Sequence, residues 1–225
     1  MRQKRIKRDR LSYYHLITRV VMREMLLGEE EKRELWRLIR RVEGFTGVRV
    51  LTYALMTNHV HILVEEPERN TEVDEGELVK RLRCLYGAMG TAEILERWEL
   101  WTERGMLDAV EEDKSRYRRR MHDISEFMKQ IKQRFVSWYH RQHGTCGTIW
   151  QDRFKSVLVE DGAALRTMAA YIEMNPVRAG MVNDPTAYRF CGFGEAMGGS
   201  KIARRGIALI AKELADDGNW ETASQ

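Results

Sequence analysis

Cysteine and proline are scarce in this chain of 225 residues, with three of each. Cys84, Cys146 and Cys191 are odd in number, far apart and without any CxxC pair. That spacing excludes a zinc ribbon and a disulfide framework, and leaves reduced thiols expected to be buried or half-buried. Proline falls only at Pro67, Pro176 and Pro185, so little prevents long elements. No window holds the roughly 18 uninterrupted apolar residues that a membrane helix needs. The opening MRQKRIKRDR is basic, but no apolar stretch follows it, so a secretory signal is not expected and the expected location is cytoplasmic. Internal repeats and low-complexity linkers are absent as well.

Hydrophobic residues make up 43% and charged residues 32% of the chain, enough to bury a core in one domain, with or without an insertion. Net charge is only +4, and its distribution says more than its size. Residues 1–10 hold six Lys or Arg (Arg2, Lys4, Arg5, Lys7, Arg8 and Arg10) against one Asp. A second basic run, RYRRR, contributes Arg116, Arg118, Arg119 and Arg120, while acidic residues collect at 65–77 and 108–113. Basic clusters near Tyr and Trp suit a polyanion with bases to stack; each cluster taken singly also reads as solvated surface.

Residues 12–26, rich in β-branched and aromatic side chains, predict a strand. Leu35, Leu38, Ile39 and Val42 recur at helical spacing within residues 29–43, with Gly44 as the expected stop. Residues 47–56 and 59–65 predict a hairpin of two strands turning at Thr57 and Asn58, the second strand ended by Pro67. Residues 68–122 are charged and helix-prone, and predict a helical insertion. Ile124, Phe127, Met128, Ile131, Phe135 and Trp138 mark an amphipathic helix over 124–142. A fourth strand is expected over 148–159, then a helix over 163–174, capped by Asp161 and closed by Pro176. The predicted fold is α+β: a ferredoxin-like split β-α-β with an antiparallel sheet and added helices. Residues 1–190 make the expected domain, with 191–225 a partly helical C-terminal tail.

His59-Val60-His61 carries the first chemical signal. Alternate residues of a strand share a face, so the two imidazoles project together and can share a divalent cation. On the residues alone, two exposed histidines fit as well. Tyr171 and Asn175 carry the second signal. A spacing of four places them on one helix face, where a phenolate nucleophile could lie beside an amide oxygen suited to a hard metal. Tyr171 also fits as a core residue among Met168, Ile172 and Met174. Tyr139 is a rival nucleophile, with His143 four residues on.

The stretches YHLITRV, MTNHVHILVE, IWQDRFKSVLVE and YIEMNPVRAGMV together resemble the single-tyrosine HUH transposases, and within them the REP-associated tyrosine transposases. The resemblance spans residues 12–190 apart from 68–122. It implies His59 and His61 as metal ligands, Tyr171 as the nucleophile and Asn175 as a third ligand, a position where other HUH relatives carry Gln. It further implies Mg²⁺ or Mn²⁺ as cofactor, a 5′-phosphotyrosine intermediate, single-stranded or hairpin DNA as substrate, association with the nucleoid, and a monomer or homodimer. Arg153, Arg178 and Trp150 join the two basic clusters as expected DNA contacts, Trp150 by stacking on a base, although it also reads as a core residue. The alternatives are a domesticated, non-catalytic hairpin binder and a replication or relaxation nickase; the small size, single candidate tyrosine and NPVRAG block speak against the nickase.

Overall fold

The structure, a computed structural model, describes residues 10–68, 72–160 and 162–212. Strands β1 (Ser12–Arg19), β2 (Arg49–Leu55), β3 (His59–Glu66) and β4 (Lys155–Val159) pair antiparallel in the order β2-β3-β1-β4. Helix α1 (Glu29–Thr46) joins β1 to β2, and α4 (Ile124–His143) leads into β4. This is the expected split β-α-β arrangement in an α+β fold.

Strand alternation sets the two faces. Tyr14 and Leu16 of β1 sit opposite Val64 and Ile62 of β3, and all four are buried. They form one core with Leu35, Leu38, Ile39 and Val42 of α1 and Ile124, Phe127, Ile131 and Phe135 of α4. Removing each such side chain from water contributes roughly 1.5–3 kcal/mol. Asp123 caps α4 by accepting from the Ser125 and Glu126 amides.

Between β3 and α4 stand α2 (Glu75–Glu103) and α3 (Leu107–Arg118), so residues 68–122 are largely helical. At Gly87, φ is 72° and α2 breaks; Arg41 of α1 donates to the Cys84 and Leu85 carbonyls there. After β4 come α5 (Ala163–Glu173), α6 (Asn175–Arg178), α7 (Gly192–Met197) and α8 (Lys201–Lys212). Helix α8 packs so closely on the edge strand β2 that a Cβ on Gly206 would lie 2.5 Å from the Leu51 carbonyl oxygen, which covers one sheet edge.

Several boundaries differ from expectation. β1 stops at Arg19, opposite His59, because β3 begins there; Val21–Arg23 is a 3₁₀ turn in which Met22 and Arg23 take positive φ. β4 starts only at Lys155, where pairing to Ile17 begins. Helix α1 runs through Gly44, whose missing side chain admits Cys84: a Cβ there would lie 2.8 Å from its Sγ. Pro176 opens α6 instead of merely ending α5. Gly162 occupies the cap position of α5, and Asp161 lies outside the described residues. Cys191 is buried, but Cys84 and Cys146 are exposed, and all three are free.

The stop of α1 is Gly47, at φ 72°. A Cβ there would also lie 2.6 Å from Arg81 Nη1, which donates to His122 Nε2. At Gly144, which ends α4 with φ 63°, nothing stands within 4 Å of such a Cβ. Left-handed backbone costs a non-glycine residue roughly 1–2 kcal/mol. Both Gly→Ala variants should therefore melt lower, by about 2–4 °C per kcal/mol in a domain of this size, and Gly47→Ala should drop further. Equal melting points for the two would show that the Arg81 contact yields freely.

Candidate active site

His59 and His61 share one face of β3, and Val60, Ile62 and Val64 point into the core from the other. Their ring centroids lie 4.9 Å apart, nearly perpendicular. In the sheet, His59 is opposite Arg19 of β1, while His61 is opposite Ile17 of β1 and Ala54 of β2. His61 is 4% exposed and His59 half-buried.

The same face receives α5. Leu165, Ala169 and Ile172 form its buried stripe. Glu173 anchors it by accepting from the Thr52 hydroxyl of β2 and the Phe193 amide of α7. This docking carries Tyr171 over the histidines. Its ring meets His61 edge-on at 6.0 Å and His15 at 6.2 Å. Tyr171 is 41% exposed, so it faces both the imidazoles and solvent. The Arg178 guanidinium stands 5.5 Å from its ring centre. Both histidines and the tyrosine come from one chain.

Each histidine of the pair has Nδ1 engaged: His59 with Asn58 Oδ1 at 2.7 Å, His61 with His15 Nε2 at 2.8 Å. Nε2 is then the nitrogen left to bind a cation. Burial depresses the pKa of His61 to about 3 and of His15 to about 4; burial and then Arg19 lower that of His59. At neutral pH the rings are uncharged, the form that ligates a metal. Among the described residues no three His, Cys, Asp or Glu side chains group to hold a metal. Asn175 is half-buried at the α5–α6 junction. Its Nδ2 donates to the Tyr171 and Ile172 carbonyls, leaving Oδ1 as its ligand-type atom. The amide oxygen suits a hard cation and the two neutral imidazoles a transition metal, a mixed donor set that fits Mn²⁺ better than Mg²⁺.

Other sequence-derived candidates lie elsewhere. Tyr139 is on α4, stacked at 4.2 Å on His143, and burial raises its pKa, which disfavours a phenolate. Trp150 does not fit the stacking role expected of it: it is 6% exposed, packs on Phe135 and donates to the Lys132 carbonyl, so its faces are spent in the core. The run 116–120 spans the end of α3 and the turn after it; α3 reaches the sheet through α2 and α1, away from the histidine face. Arg118 donates to the Val73 carbonyl and Arg120 to the Tyr86 hydroxyl; Arg116 and Arg119 are exposed beside Asp113 and Glu112. Arg10, Arg153 and Arg178 are exposed; Arg2, Lys4, Arg5, Lys7 and Arg8 lie outside the described residues. Sequence reading overlooked His15, Arg19 and Lys155. The alternation placing His15 and Arg19 on one face of β1 is visible in the sequence, but the register that sets Lys155 of β4 opposite Ile17 between them is not.

A family model described as "Transposase IS200 like" matches residues 10–114, a span that holds His15, His59 and His61 and stops short of Tyr171. No curated protein matches the chain. Among solved structures, a REP-associated tyrosine transposase bound to a REP hairpin is similar in fold. Its TM-score is 0.56 at 17% identity, over 90% of each chain. A transposase candidate from Deinococcus radiodurans R1 aligns at TM-score 0.37 and 14% identity, over 80% of this chain and 92% of that one. Residues 10–114 are thus similar to the IS200-like transposase family, and the chain shares its fold with a REP-associated tyrosine transposase.

Proposed function

We propose that the protein nicks and rejoins DNA through Tyr171, with a divalent cation held by His59, His61 and Asn175. One observation carries this reading. Tyr171, from a separate helix, meets the rings of His61 and His15 edge-on at 6.0 and 6.2 Å while remaining open to solvent. A core tyrosine would be covered, and a surface tyrosine would not be docked on paired imidazoles.

In the proposed reaction the Tyr171 phenolic oxygen attacks the scissile phosphorus and gives up its proton. The bond from phosphorus to the 3′ oxygen breaks, and that oxygen leaves as a 3′-hydroxyl after taking a proton. The 5′-phosphoryl stays on Tyr171 as an aryl ester, and attack by a DNA 3′-hydroxyl reverses the step and rejoins the strand. Mg²⁺ or Mn²⁺, when bound, supplies charge stabilisation at the phosphoryl and leaving oxygens. Arg178 adds fixed positive charge beside the phenol.

A path for the strand is open on the same face. Helix α5 packs on β2 and β3 more than on β4, and on the β1–β4 side Arg19, Lys155 and Val157 are exposed. Tyr171 on a helix above a sheet reaches a single strand more easily than a stacked duplex, so the substrate is single-stranded at the cut. That the REP-associated neighbour is bound to a REP hairpin supports a stem beside that single strand. The basic residues at 2–10 and the exposed Arg116, Arg119 and Arg153 are proposed to hold its phosphates.

The test is to incubate the protein and Mg²⁺ or Mn²⁺ with labelled single-stranded DNA carrying palindromes from the neighbouring genome. Cleaved product with protein attached to its 5′ end supports the reading; unaltered DNA, or free 5′ ends from the first turnover, speaks against it. For the basic residues, deleting 1–10 should weaken hairpin binding evenly across sequences. Each lost phosphate contact should flatten the slope of log K against log salt by about 0.7–0.9. An unchanged slope would make those residues bystanders.

A further inference from the structure

We infer that His15 is a positioning residue for His61: its Nε2 accepts the His61 Nδ1–H and thereby presents His61 Nε2, with its lone pair free, to the cation. This rests on the reading of His59 and His61 as metal ligands.

The register makes the pair. His61 lies opposite Ile17 and His15 opposite Leu63, so the two histidines are diagonal neighbours on one sheet face, within reach for ring side chains. Their rings stack with centroids 5.0 Å apart and planes 20° from parallel. His15 Nε2 and His61 Nδ1 are 2.8 Å apart, and each residue is 4% exposed, so little water competes for the bond.

A neutral imidazole carries one ring proton, and only one proton can lie between these two nitrogens. If His15 donated it, the proton of His61 would have to sit on Nε2, and His61 would have no lone pair to offer a cation. If His61 donates from Nδ1, its Nε2 is free and the proton of His15 moves to Nδ1. Only the second arrangement is compatible with His61 as a ligand. A flip of the His61 ring would break the bond, so His15 also fixes the orientation of the ring. Outer partners of this kind set both tautomer and direction of a ligating histidine. His15 is not itself placed as a third ligand, because no three His, Cys, Asp or Glu side chains among the described residues group around a common site.

The test compares His15→Leu, which fills space without an acceptor, with His15→Gln, whose Oε1 reaches about as far as the lost Nε2. Mn²⁺ binding to the full chain without DNA is measured by electron paramagnetic resonance, and hairpin binding is measured in EDTA. His15→Leu should bind Mn²⁺ about 10- to 100-fold more weakly, His15→Gln should recover most of that loss, and hairpin binding should not change. Equal affinity in His15→Leu and wild type, or equal loss in both variants, overturns the inference. Long-range ¹H–¹⁵N spectra of the metal-free wild type need no variant: the His61 proton is expected on Nδ1, and a proton on Nε2 overturns the inference. If wild-type Mn²⁺ binding does not depend on His59 and His61, the reading of the pair as ligands falls, and this inference with it.

Discussion

Tyr171→Phe should abolish the covalent protein–DNA adduct while leaving the fold and hairpin binding intact. The substitution removes one oxygen and keeps the ring edge-on to His15 and His61. Tyr171 is 41% exposed, so the cost to stability should fall within about 0.5 kcal/mol, as for most surface changes. Phosphate contacts, which supply much of DNA affinity, do not involve the phenol. The expected pattern is an unchanged melting temperature and gel shift with no adduct at any time or cation concentration. Tyr139→Phe is the control. Tyr139 is stacked on His143 of α4, so losing that hydroxyl should leave the adduct yield unchanged. The opposite pattern, an adduct surviving Tyr171→Phe and lost in Tyr139→Phe, would move the chemistry to α4. A protein that binds hairpins and forms no adduct even as wild type would be a non-catalytic binder.

Removing either histidine of the pair should have an equally large effect on cleavage but unequal effects on stability. His59→Ala and His61→Ala each delete one of the two proposed imidazole ligands, so cleavage should fall to background in both and hairpin binding should persist. The stability contrast follows from burial. His61→Ala leaves the buried Nε2 of His15 without its partner, which costs about 1–3 kcal/mol. His59 is half-buried and bonded to its neighbour Asn58, so its loss should cost less. EDTA added to wild type should reproduce the cleavage defect without the melting shift. Cleavage retained in His59→Ala would show that the pair does not act together.

Much of this architecture was legible in the chain because the periodicities are clean. The stripe of Leu35, Leu38, Ile39 and Val42 and that of Ile124, Phe127, Ile131 and Phe135 define two helices without reference to anything else. The HxH alternation puts His59 and His61 on one face by geometry alone. What stayed hidden depends on partners distant in sequence. The end of β1 at Arg19 is set by where β3 begins, not by the apolar run that continues past it. Gly44 reads as a helix stop until Cys84 is seen to press against it. His15 reads as one strand residue among several, and only the diagonal register on β3 brings it to His61. Trp150 reads either as a core residue or as a stacking platform next to basic residues, and Phe135 decides for the core. The docking of α5 likewise rests on Glu173 meeting Thr52 and the Phe193 amide, a set of contacts that no local pattern announces.

The central claim is that Tyr171 becomes bonded to DNA phosphorus, and peptide mapping of the trapped adduct tests it most directly. Wild-type protein is incubated with hairpin-bearing single-stranded DNA and Mn²⁺, the DNA is trimmed with nuclease, and the digest is read by tandem mass spectrometry. The account predicts a nucleotide mass on the peptide spanning YIEMNPVR, localised to Tyr171 and joined through the 5′-phosphate. A nucleotide localised to Tyr139 or to any other residue, or cleaved DNA with no modified peptide, would contradict it.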